Sequence, residues 1–74
     1  MRIEKGTKVR VFHRRQGTFD AVATKSFDTE TDEWFSVALD QDEPVLGMNT
    51  VWERGDEIPT RRGSRVEIRK EASE

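Results

Sequence analysis

Lys8-Val9-Arg10-Val11-Phe12-His13-Arg14-Arg15-Gln16-Gly17-Thr18-Phe19-Asp20-Ala21-Val22-Ala23 is the stretch that decides the fold. Polar and apolar residues alternate through residues 8–12, and β-branched Val9 and Val11 fall on one face. Residues 14–17 form a turn that ends at Gly17. Beyond it the alternation resumes, with Phe19, Ala21 and Ala23 on one face of a second strand over residues 18–27. Working outward, residues 33–40 bring Phe35, Val37 and Leu39 together. Residues 45–52 read as a less regular fourth strand, with Gly47 at a bulge or bend. Residues 65–70 close the pattern: Val66 and Ile68 point inward while Arg65, Glu67 and Arg69 point outward. The expected core is Val9, Val11, Phe19, Ala21, Phe35, Val37, Leu39, Val66 and Ile68.

The links are short and polar. Residues 28–32 form a hairpin tip, and Gln41-Asp42-Glu43-Pro44 forms another in which the proline ends the ladder before it. Residues 54–63 hold Gly55, Pro59 and Gly63 and read as irregular, with room for at most a short 3₁₀ turn between the last two strands. No segment reads as a long amphipathic helix. Residues 1–4 are expected to be a flexible N-terminus and residues 71–74 a disordered tail, leaving one domain over residues 5–70. The chain has 74 residues, enough for one domain with a small core. Only 32% of residues are hydrophobic and 38% are charged, a composition that also suits disorder. The small net charge, the alternating apolar runs and six aromatics argue for a folded middle.

Five short strands in about 65 residues must protect their edges, and closure into a small barrel does so. The opening Lys5-Gly6-Thr7-Lys8-Val9-Arg10-Val11, the glycine-led Gly17-Thr18-Phe19-Asp20-Ala21-Val22-Ala23 and a last strand after a proline-glycine turn resemble the SH3-like barrels, a superfold that includes Tudor, KOW and Sm-like modules. The resemblance covers residues 5–70. It implies an all-β fold, a single small five-stranded SH3-like barrel, with its first and last strands side by side. Such superfolds host unrelated functions, so it implies architecture only.

Charge is sorted along the chain. Residues 1–15 carry six basic groups against Glu4, residues 20–43 carry eight acids against Lys25, and residues 61–70 carry five basic groups against Glu67. The net charge of −2 conceals this. Adjacent first and last strands would gather Lys8, Arg10, Arg65 and Arg69 on one outer surface, flanked by His13, Arg14, Arg15, Arg61 and Arg62 on turns. Guanidinium forks grip phosphates and stack on bases, so this surface points to nucleic acid or a ribonucleoprotein. The opposing reading is internal pairing: Arg14 and Arg15 would face residues 41–44, and residues 28–32 would face residues 60–63. In that case the chain is a protein-interaction adaptor or small regulatory subunit that meets an acidic protein surface or presents its own acidic hairpin.

Trp34 and Trp52 are the aromatic candidates. Each follows or precedes another large apolar residue, so one member of each pair must face away from the core. An outward indole can stack a base, cage a methylated amine or hold a proline-rich peptide. The alternative is that one closes a barrel mouth and the other covers a strand. Tyrosine is absent, which disfavours a proline-peptide groove.

Other chemistries find little support. With no cysteine, disulfides and thiolate metal sites are excluded, and one histidine cannot build a multi-histidine site. Asp28-Thr29-Glu30-Thr31-Asp32-Glu33 lacks the glycine and the spaced glutamate of a calcium loop. No cofactor is expected. Nucleophile and phosphate-loop motifs are missing, and a chain this small makes no deep pocket by itself, so neither an enzyme nor a small-molecule substrate is expected. No apolar run is long enough to span a bilayer and no signal-peptide core is present, so no membrane partner and a cytoplasmic location are the expectation. Oligomeric state is not encoded in any feature of the sequence.

Overall fold

The computed structural model describes residues 1–13, 16–47, 49–61 and 64–69. The described chain is all-β, with no helix. Its strands are β1 (Arg2–Ile3), β2 (Lys8–His13), β3 (Gly17–Ala23), β4 (Phe27–Asp28), β5 (Trp34–Leu39), β6 (Val45–Leu46), β7 (Val51–Trp52), β8 (Glu57–Arg61) and β9 (Arg65–Ile68). Five of them form an antiparallel sheet in the order β8-β5-β3-β2-β9, and two-stranded pairs β1-β4 and β6-β7 complete the fold.

The β2–β3 hairpin follows the sequence pattern residue for residue. Val9 lies opposite Ala21 and Val11 opposite Phe19, and all four side chains are buried. Gly17, at the register position opposite His13, has φ +86, a left-handed conformation that glycine adopts without Cβ strain. Phe35, Val37 and Leu39 of β5 complete the inward face, and Phe35 stacks on Phe27 with ring centroids 4.1 Å apart. Residues 1–4, read as a flexible lead-in, contribute β1, whose Ile3 lies opposite Phe27 and is buried in the core.

Four expectations are corrected. First, residues 18–27 are not one strand: the ladder with β5 ends at Ala23, and Phe27 reappears in β4 against β1. Second, residues 45–52 are not a strand of the main sheet. They fold on themselves as the β6–β7 hairpin, with Gly47 donating to the Thr50 carbonyl at 2.8 Å. Gly47 is required by close approach, since a Cβ there would lie 2.8 Å from the Trp52 ring. Third, the fourth long strand is β8, inside the segment read as irregular. Ile58 and Thr60 point inward and are fully buried. Pro59 is accommodated because Ser36, opposite it, turns its carbonyl toward Thr24 on the other side. The backbone of Pro59 therefore faces the open side of β8, and its missing N–H removes no bond from the sheet. Fourth, Ile68 is not core. It ends the edge strand β9 and is 53% exposed, whereas Val66, one inward position earlier, is buried.

The sheet is curled. In a flat sheet β8 and β9 would lie four strand spacings apart, roughly 19 Å. Ser64 instead donates its N–H to the Arg61 carbonyl at 3.2 Å. A hydrogen-bonded turn plus one further residue step holds the Arg61 and Arg65 Cα atoms within about 11 Å. The outer ends of the sheet are thus drawn toward each other around the core.

Candidate nucleic-acid interface

The outward positions of β2 and β9 hold three of the cations singled out in the sequence, Lys8, Arg10 and Arg65, and Arg69 follows directly after β9. β2 and β9 are indeed neighbours, with Arg10 opposite Glu67 and Phe12 opposite Arg65. The resulting surface is a row of alternating charge rather than a basic stripe. Arg10 also lies opposite Asp20 and donates to it from Nε at 2.9 Å, so the guanidinium sits between two carboxylates. The hydrogen bond that Arg10 donates to Asp20, the charge of that carboxylate and the nearby Glu67 raise the Arg10 pKa.

Asp20 and Asp40 link this row to a second one. Arg69 donates from Nη2 to Asp40 at 2.7 Å and to the Ala21 carbonyl at 3.2 Å, and its Nη1 lies 3.5 Å from Asp20. Only 16% of the Arg69 side chain is exposed. Arg54 spans Asp40 at 2.8 Å and Asp42 at 3.0 Å. Asp40 therefore meets two guanidinium groups. Its hydrogen bond from Arg69, reinforced by the charges of Arg69 and Arg54, outweighs partial burial and lowers its pKa. Asp20 within β3, Asp40 just after β5 and Asp42 beyond it thus neutralise Arg10, Arg54 and Arg69 in one connected network.

A different set of arginines lies around the β8–β9 link. Trp34 begins β5 facing outward and is 59% exposed, while its neighbour Phe35 is buried. Arg61, directly opposite on β8, holds its guanidinium carbon 5.8 Å from the Trp34 ring centroid. Four residues on, the Arg65 guanidinium lies 5.3 Å from the ring centroid of Phe12. Each is within cation–π range. Arg65 also pairs with Glu67. Among the described residues Arg61 has no carboxylate partner. Arg61 ends β8 and Arg65 begins β9, so the two arginines are four residues apart in the chain.

The structure thus divides the sequence candidates. Arg61 lies over Trp34, and Arg65 lies over Phe12, which sequence reading placed in a strand but not in a site. Its signal was parity: two inward residues, Val9 and Val11, put Phe12 on the outward face. Arg10 and Arg69 are taken up by carboxylates. Lys8 is exposed on the outer face of β2. His13 accepts the Gln16 N–H at Nδ1 and so braces its own turn. Arg14, Arg15 and Arg62 lie outside the described residues. Trp52 is half-buried and packs on the core beside Gly47.

The acidic hairpin is also internally occupied. Asp28 accepts the Glu30 N–H and Asp32 accepts the Asp28 N–H, each at 2.8 Å. The backbone bond from Glu30 is the main reason the Asp28 pKa is lowered. The chain's amino group lies 3.1 Å from Glu30 and 3.6 Å from Asp28, where the sequence reading had set arginines. Among the described residues no three histidine or carboxylate side chains converge as a metal-binding set, and no helix is long and apolar enough to cross a membrane. Comparison with protein-family models, curated proteins and solved structures finds no match, so the chemistry of the site rests on these residues alone.

Proposed function

We propose that this chain is a non-catalytic binding module that contacts nucleic acid through the arginine–aromatic cluster of Arg61, Trp34, Arg65 and Phe12. The single observation that carries the reading is the Arg61–Trp34 pair: an exposed indole under a guanidinium that no described carboxylate neutralises. An arginine stacked on a ring keeps its outer N–H donors for phosphate, and the ring edge and face are open to a base. Arg62 is the next residue in sequence after Arg61. At the level of fold, the proposal is an SH3-like barrel. Taking the five long strands in chain order, the sheet runs fourth, third, second, first, fifth, which sets first beside last, and the curled sheet supports this assignment. The cytoplasm remains the proposed location.

The adaptor reading has an observation of its own. Arg10, Arg54 and Arg69 already hold carboxylates, so the larger charged face has little unpaired positive charge to offer a polyanion.

Titration of fluorescent oligonucleotides at low salt tests the proposal. Binding is expected to weaken steeply as salt rises, through release of condensed counterions. The double charge reversal Arg61→Glu with Arg62→Glu is expected to abolish it while the far-UV circular dichroism spectrum is unchanged. Failure of every oligonucleotide to bind at low salt gives precedence to the adaptor.

A further inference from the structure

We infer that the partner is single-stranded, with unpaired bases stacking on Trp34 and Phe12; this rests on the nucleic-acid reading above. A duplex hides its base faces inside the stack, so an outward ring on a sheet face finds no surface there to cover. A single strand offers those faces freely. Trp34 and Phe12 sit in cation–π pairs whose arginines, Arg61 and Arg65, end and begin strands only four residues apart in the chain, so one strand can reach from one pair to the other. The rings can take bases while the guanidinium groups turn outward to the phosphates between them.

Charge points the same way. A duplex presents two lines of phosphate and requires a broad field of unpaired cations. Here the broad field is cancelled: Arg10, Arg54 and Arg69 are paired across the outer face of the sheet. Glu33, next to Trp34, and Glu57, on the same strand as Arg61, are both exposed and would repel a second strand. What remains is Arg61 over the exposed Trp34 ring, with Arg65, itself paired to Glu67, over Phe12, a small site suited to a narrow ligand.

The test uses the full chain carrying Trp52→Phe, which leaves Trp34 as the only indole. Titration with an oligothymidylate eight nucleotides long is expected to quench Trp34 fluorescence. The blunt duplex of equal length is expected to bind at least tenfold more weakly. Trp34→Ala in the natural background, followed with a labelled oligonucleotide, should weaken single-strand binding by about five- to a hundredfold. Phe12→Leu provides a second variant, with a smaller loss expected and circular dichroism to verify folding. Equal affinity for duplex and single strand overturns this inference and leaves the nucleic-acid reading standing. So does equal affinity for an abasic strand, since bases would then contribute nothing. No association with any of these probes at low salt overturns both readings.

Discussion

Two groups of arginines on one small sheet have been put to different use. Arg10, Arg54 and Arg69 lie on carboxylates, and Arg69 is nearly submerged between Asp20 and Asp40. Arg61 and Arg65 lie on aromatic rings, and of the two only Arg65 also pairs with a carboxylate among the described residues, Glu67. The first arrangement satisfies charge and holds strands in place, with the buried Arg69 Nε left without a hydrogen-bond partner among the described residues. The second leaves a guanidinium's donors facing outward over a π-surface. A count of basic residues treats the two alike. The partner each guanidinium has inside the chain separates scaffold from contact surface.

The harshest way to break the comparison is to remove the strand that holds one side of it. Ile58→Ala should lower stability by about 2–5 kcal/mol, since a fully buried branched side chain leaves a cavity between β8 and β5. In a domain this small that is a large part of the whole. Chemical denaturation would show it as a lower midpoint, and an unchanged midpoint would mean that β8 is not part of the sheet.

A pair of substitutions sharpens the contrast directly. Arg69→Met keeps the aliphatic packing but leaves Asp40 to Arg54 and Asp20 to Arg10 alone, and is expected to cost about 1–3 kcal/mol. Arg61→Gln should stay within about 0.5 kcal/mol of the parent, as exposed substitutions usually do. Comparable losses from the two would erase the distinction drawn between them.

The smallest effect is on acid stability. Because the folded-state pKa of Asp40 is lowered, its pairing contributes stability that is complete above the ordinary value of 3.8 and is lost as pH falls below it. Asp28 acts in the same sense. Thermal melts between pH 5 and about pH 2 should show a decline steeper for the parent than for Asp40→Asn, with no matching change above pH 5.

Much of the sheet was legible because a period of two is hard to hide. Val9, Val11, Phe19, Ala21, Phe35, Val37, Leu39 and Val66 alternate cleanly with polar residues, and all are buried. β8 escaped because Gly55, Pro59 and Gly63 punctuate it, although Glu57-Ile58-Pro59-Thr60-Arg61 does alternate; breaker residues outweighed period, and only the edge position reconciles them. Residues 45–52 misled in the opposite direction, since Val45, Leu46, Val51 and Trp52 are apolar without belonging to the main sheet. At the site, Trp34 could be seen as an outward ring from its place before Phe35. That Phe12 and Arg65 share a row depends on the register between segments more than fifty residues apart, which no local pattern carries. The neutralisation of Arg10 was closer to hand, because a hairpin turning over residues 13–17 sets residue 10 opposite residue 20.

Pro59 has a consequence for how copies of this chain behave in a crowded solution. On the open side of β8 the backbone groups of Glu57, Pro59 and Arg61 face outward. The middle position has no N–H to give, and the Arg61 carbonyl is already taken by Ser64. A strand from another molecule would therefore find a single complete donor–acceptor residue, Glu57, and a side chain there whose charge repels its own kind. Edge-to-edge polymerisation is closed off at the place where a short, exposed strand would otherwise invite it. The same proline that obscures the strand in the sequence keeps β8 from serving as a template for neighbouring copies.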